Sequence, residues 1–214
     1  PKLILNPLEG QLHTGKMMQA LLHKVQGGPQ PILILNGVAL TEYTDLGEGV
    51  AVSTNHFDFK ARKLLIATNG FAGNLGVAEV KPARAQVLIT EPIPGLPVKG
   101  TFHMDEGFYY FRNVGQQVLL GGGRNLDPEG ETTGEFGQTP LIQESLEELL
   151  RQVILPGIPF RIAHRWSGIM GVGPQKKPIV TKFSDNVACG VRLGGMGVAI
   201  GSHIGMELAG LAEA

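Results

Sequence analysis

Apolar residues recur at helical spacing in "TGKMMQALLHKVQ" (14–26), where Met18, Leu21, Leu22 and Val25 fall at i, i+3, i+4 and i+7. That spacing predicts an amphipathic helix, capped by Thr14 and stopped at Gly27-Gly28. Next, "ILIL", "VALTEY", "GVAVSTN" and "FDFKAR" are short β-prone runs broken by Gly, Asn and Asp, which predict a meander of hairpins. "KLLIATNG" is an unbroken apolar run ending in Asn-Gly, the pattern of a strand buried on both faces. From about residue 83 the runs lengthen into antiparallel-looking strands: "ARAQVLITEP", "GTFHM", "GFYYFRN" and "QQVLLGGGRN". "TPLIQESLEELLRQV" is a second helix, with Ile142, Leu146, Leu149 and Leu150 on one face. "FRIAHRWSGIM" and "NVACGVRL" predict two more strands. A glycine turn then runs into a last helix striped by Ile200, Ile204 and Leu208, where Gly201 and Gly205 permit close packing.

The glycine turn is the first piece of candidate chemistry. Glycines admit positive φ and close backbone approach, and a helix starting after them aims unpaired N–H groups at whatever lies there. A dinucleotide fingerprint is the obvious comparison, yet Gly195-Met196-Gly197-Val198-Ala199-Ile200 misses the third glycine by one place. The fingerprint also belongs after the first strand of a βαβ unit, about 20 residues before a ribose-binding acid. Here the turn lies near Ala214, so a first phosphate loop would have to be elsewhere.

Composition narrows the classes. A chain of 214 residues suits one large domain or two small ones. Its net charge of −1 leaves no electrostatic footprint for nucleic acid or anionic lipid, and its apolar stretches are too short to span a membrane. A protein acting on small molecules in the cytoplasm is the expectation. The one cysteine, Cys189, fits a reducing compartment; in "NVACGV" it reads as a buried strand residue, with no basic neighbour to activate it. Six histidines are scattered without ligand spacing, so no metal site is expected, and "WSGIMG" is not a nucleophile elbow. Glycine, 31 of the 214 residues, is about double its usual ~7% share, and it clusters at strand ends where backbones come close.

Four stretches, in order, resemble the C-terminal half of the D-amino-acid oxidase and glycine oxidase superfamily of flavoproteins. "GVAVSTNHFDFKARKLLIATNGFAG" is similar to its hairpin and the strand ending in an Ala-Thr-Gly turn beside FAD. "KPARAQVLITEPI" and "GFYYFRNVGQQVLLGGGRNLD" resemble strands of its substrate domain. "HRWSGIMGVGPQKKPIV" is similar to its Trp-x-Gly segment, and "NVACGVRLGGMGVAIG" to its closing glycine turn and helix. The fold so implied is mixed α/β: the remainder of a glutathione-reductase-like FAD-binding domain plus an antiparallel-sheet substrate domain, without the N-terminal phosphate-loop unit. The expected divisions are 1–80 (partial FAD-binding domain), 81–168 (substrate domain) and 169–214 (return to the FAD-binding domain).

The resemblance implies FAD as cofactor, held by Ala67, Thr68, Asn69, Gly70 and Gly168 and by the turn Gly194, Gly195, Met196, Gly197 and Val198. Asn69 is an insertion relative to the commoner Ala-Thr-Gly pattern. Tyr109 matches a substrate-contacting tyrosine; alternation sets it with Phe111, and Phe108, Tyr110 and Arg112 on the other face. At Met170 the family carries an arginine that pairs with a substrate carboxylate, and a methionine does not bind one. Arg192 could supply the charge instead, with Arg165 a weaker option. The implied activity is oxidation of a C–N bond of an amine or amino acid by hydride transfer to flavin, with no protein acid or base demanded. The partners expected are that substrate and the missing N-terminal half. The alternative is a catalytically empty recognition or interaction module without its own cofactor. A flavin-fold halogenase or hydroxylase would need motifs outside these stretches.

Overall fold

The computed structural model describes residues 4–213; residues 1–3 and 214, the outermost positions of the first and last expected segments, lie outside them. In chain order the elements are α1 (Thr14–Gly27), β1 (Leu40–Asp45), β2 (Val50–Thr54), β3 (Asp58–Ala61), β4 (Leu64–Ile66), β5 (Lys81–Thr90), β6 (Thr101–Met104), β7 (Tyr109–Val114), β8 (Gln117–Gly122), α2 (Pro140–Leu149), β9 (Ile162–Val172), β10 (Ile179–Lys182), β11 (Val187–Val191) and α3 (Gly197–Glu213). The chain divides into two compact units. One, here the sheet unit, takes residues up to Val25, 84–131 and 135–168; the other, the glycine-turn unit, takes 26–83, 132–134 and 169–214. Residues up to Val25, grouped by sequence with the segment 1–80, thus cluster with the sheet unit.

The sheet unit is built on five strands in the order β6-β7-β8-β5-β9. Its core forms where α2 and the turn that follows it lay Ile142, Leu146 and Leu150 on Leu88 of β5 and on Val118 and Leu120 of β8, all 0% exposed. The predicted apolar stripe of α2 is therefore the buried one. The helix does not continue unchanged to residue 153: from Leu150 to Ile154 it widens into a π turn, closed by the Leu155 N–H on the Leu150 carbonyl at 2.7 Å. Beside this core lies a polar network. Buried Glu131 accepts from Arg84 and from Gln86, while Gln86 Oε1 accepts from the Thr139 N–H and from Nε2 of Gln143 on α2. Helix α1 forms as predicted, although its cap is His13: the Lys16 N–H donates to His13 Nδ1 at 3.3 Å. None of its residues is buried.

The glycine-turn unit holds two three-stranded sheets. In the first, β1-β2-β3 is the antiparallel meander, except that "ILIL" forms no strand and β1 starts only at Leu40. In the second, the order is β10-β11-β4, with β11 parallel to β4 and antiparallel to β10. Val50 and Val52 of β2, Ile66 of β4 and Val187, Cys189 and Val191 of β11 share one core. Strand β4 is only three residues long and is an edge among the described residues, and its Leu65 is 39% exposed. The expectation of burial on both faces therefore fails at Leu65. Ile204 and Leu208 of α3 are buried against this sheet, where Gly190 leaves room for them. Gly205 faces open space, and Gly201 comes near only Leu193, so the close approach belongs to the strand glycine and not to the helix glycines.

Candidate functional site

Within the glycine-turn unit, three chain segments meet. The first follows β4, whose last residue, Ile66, is buried, while Ala67 and Thr68 are exposed. Asn69 then takes a positive φ of 44° and opens a short 3-10 turn, Asn69–Leu75. The second is the end of β9. A Cβ on Gly70 would lie 2.8 Å from the Met170 carbonyl oxygen, so a side chain there would wedge the two segments apart. The third is the glycine turn: Asn69 Oδ1 accepts the Leu193 N–H at 3.0 Å. Residues far apart in sequence, Asn69, Met170 and Leu193, are thereby joined at the start of the turn that precedes α3.

The turn itself is open to a ligand. Gly194 has φ 56°, and Gly195, Met196 and Val198 are exposed. A Cβ on Gly195 would meet nothing nearer than the Met170 sulfur at 4.0 Å. No side-chain cap closes the residues Gly194–Met196, and the first turn of α3 has no acidic residue. A helix start leaves backbone donors without intrahelical partners. Uncapped, glycine-lined and positive at its dipole end, this one fits an electron-rich edge such as that of a flavin ring.

Arg192 is not free to take the place of the family arginine. It lies 6% exposed, with φ 62° and its side chain folded inward over Gly173. Its Nε donates to the Lys177 carbonyl at 2.7 Å and its guanidinium pairs with Glu79 at 3.2 Å. The geometry is that of an internal strut, with the guanidinium engaged by Lys177 and Glu79. Arg165 is committed as well, in the sheet unit, to Gln143 at 2.7 Å and to Glu147.

Two further expected site residues, Gly168 and Tyr109, belong to the sheet unit. Gly168 is exposed and has open space around it. Tyr109 lies on the α2 side of its sheet, packed on the core with Phe111, its hydroxyl 3.5 Å from Ser145. The opposite face receives Tyr110, and a Cβ on Gly121, its cross-strand partner, would lie 2.4 Å from the Tyr110 hydroxyl. Its ring therefore lies flat across β8. Burial pushes the Tyr110 phenol up from its ordinary value, with Arg112 opposing, so it stays a neutral O–H donor at pH 7. Sequence alternation separated the two tyrosines correctly; the face that α2 covers is a tertiary fact that alternation does not contain.

Among the described residues no helix is long and apolar enough to cross a membrane, and no three His, Cys, Asp or Glu side chains cluster as metal ligands. A search of curated proteins returns no match. Solved structures share the fold. L-proline dehydrogenase from P. horikoshii superposes with a TM-score of 0.67 at 18% identity, over 83% of this chain and 50% of that one. Glycine oxidase from Geobacillus kaustophilus gives 0.67 at 17%, over 82% and 48%, and iminodiacetate oxidase from Chelativorans sp. BNC1 gives 0.69 at 17%, over 86% and 50%. The chain thus spans about half the length of the structures it resembles. The family model described as FAD dependent oxidoreductase, DAO, matches residues 2–211, and with nearly the whole sequence inside that match the chain belongs to the DAO family of FAD-dependent oxidoreductases.

Proposed function

We propose that this chain is the C-terminal part of a cytoplasmic flavoenzyme that oxidises a C–N bond of an amine or amino acid. The observation that carries the reading is the convergence of Asn69, Met170 and Leu193 on an uncapped, glycine-lined helix start. FAD, when bound, accepts the two electrons and the hydrogen removed from the substrate carbon. The backbone donors of Gly194 to Val198 would hold the electron-rich edge of its ring, and Ala67, Thr68 and Gly70 would border it. The half that carries the adenosine-phosphate loop would pair along the free edge of β4, where Leu65 is exposed.

On the substrate side we assign Tyr110, rather than Tyr109, as the tyrosine that donates to the substrate. Met170 offers a soft apolar contact and Arg192 is engaged elsewhere, so a substrate without a carboxylate at that point is favoured. Catalysis then rests on orientation of the neutral amine, the role for which positioned, water-excluding walls suffice.

The test is the visible spectrum of the purified chain before and after addition of FAD, followed by desalting. A retained flavin band supports cofactor binding by these residues. Complete loss of flavin, together with failure to regain it when the N-terminal half is supplied, would leave the cofactor-free recognition module as the reading.

A further inference from the structure

We propose that Asn69 is a positioning residue: its side chain holds the glycine turn in the shape that receives the flavin, and it does so without touching the flavin itself. The inference rests on the reading that the turn faces the cofactor, but its geometry stands independently. Asn69 sits with φ 44°, a region that Asn and Asp enter far more readily than other residues bearing a side chain. This backbone turn directs Oδ1 at the Leu193 N–H, 3.0 Å away and 124 positions on in sequence. Leu193 in turn accepts the Met196 N–H on its own carbonyl at 3.1 Å, so the residue that Asn69 holds is also the one that closes the turn before α3.

The surroundings leave the side chain little freedom. A Cβ on Gly171 would fall 2.6 Å from Asn69 Oδ1 and 2.9 Å from its carbonyl carbon. Gly171 is buried, and its lack of a side chain is what admits the amide between β9 and the turn. Two chemical properties are therefore needed together at position 69: tolerance of positive φ, and a short side-chain acceptor. Glycine has the first alone and alanine has neither, while aspartate has both.

That separation designs the experiment. Asn69→Ala, Asn69→Gly and Asn69→Asp are made in the 214-residue chain, and amide hydrogen exchange is followed at Leu193 to Met196 alongside FAD titration by flavin fluorescence quenching. Exchange at Leu193 is expected to rise about five- to tenfold in the Ala and Gly variants, the loss of one ordinary hydrogen bond, and to stay near wild type in Asp. FAD affinity is expected to fall by a similar factor in Ala and Gly and to return in Asp. Because the Gly variant carries no φ penalty, it keeps the test alive if Ala fails to fold. Unchanged exchange in Gly, or restoration by Gly but not by Asp, would overturn the positioning role. Raised exchange with equal FAD affinity in all four proteins would overturn its link to the cofactor. A wild-type chain that orders the turn as described yet binds no FAD, alone or with the N-terminal half supplied, would instead count against the flavin reading and leave the side-chain hold on Leu193 in place.

Discussion

At the scale of single residues, the two adjacent tyrosines of β7 lie on opposite faces of their sheet, only one of which α2 covers. Tyr110→Phe removes a neutral donor on the other face and should raise KM for the amine about two- to tenfold in the flavin-loaded protein, the range of one hydrogen bond. Tyr109→Phe should leave KM alone, since its hydroxyl lies beside Ser145 on the α2 side of the sheet. Steady-state kinetics on the pair decide it; a reversed pattern would return the substrate role to Tyr109. Asp45 makes a second residue-level prediction. Ser184, then Asn186, then the Gly47 N–H donate to its carboxylate and hold it below its ordinary value of 3.8. A carboxyl more acidic in the folded than in the unfolded state adds stability that is complete above the unfolded value and is lost as pH falls through the folded one. Urea unfolding between pH 7 and pH 2 should accordingly show a shallower acid limb in Asp45→Asn than in the wild type.

Elements formed where periodicity was long and one-sided. The stripe of α2 was legible because Ile142, Leu146 and Leu150 repeat at helical spacing, and all three are buried. What that periodicity could not show is the polar network at its flank, because Gln86, Glu131 and Gln143 find one another across strands and helix. Their sequence signal is weak: Gln143 merely sits next to Ile142. Glu131 is 1% exposed and Arg84 only 12%, so removing the carboxylate strands a largely buried guanidinium. Glu131→Ala should cost about 3–5 kcal/mol in unfolding free energy, whereas the double change Arg84→Met with Glu131→Leu should cost much less. Equal losses in the single and double variants, measured by denaturant titration, would refute this account. Elsewhere local propensity was overruled. "ILIL" is apolar enough for a strand, but among the described residues it pairs with no strand, and Leu33 stands 80% exposed.

For the whole molecule, two separate cores, one under α2 and one shared by β2, β4 and β11, show that each unit has its own apolar interior. Cys189 lies in the second core at 0% exposure, and burial pushes its thiol up, with a backbone contact from Thr181 opposing. A protonated, enclosed thiol reacts slowly. Labelling of Cys189 by a thiol reagent should therefore be negligible in the native protein and rise along the unfolding transition; rapid labelling without denaturant would show that β11 opens on its own. The family match covers nearly the entire chain, although the chain spans only about half of its structural relatives. Among the described residues β4 ends its sheet, and its outer backbone groups are left without a strand partner.

Periodicity by itself determined the two main amphipathic helices, most strands and the buried setting of Cys189, while the resemblance of four stretches in order pointed to the mixed α/β class and the family. These are carried by local spacing and by motif order, which sequence contains directly. The tertiary structure alone decided that Arg192 turns inward to Glu79 and Lys177, that Tyr110 and not Tyr109 lies away from α2, and that Asn69 holds Leu193. Each of these depends on which distant segments pack together, and side-chain direction at such a junction is set by partners that no local window includes.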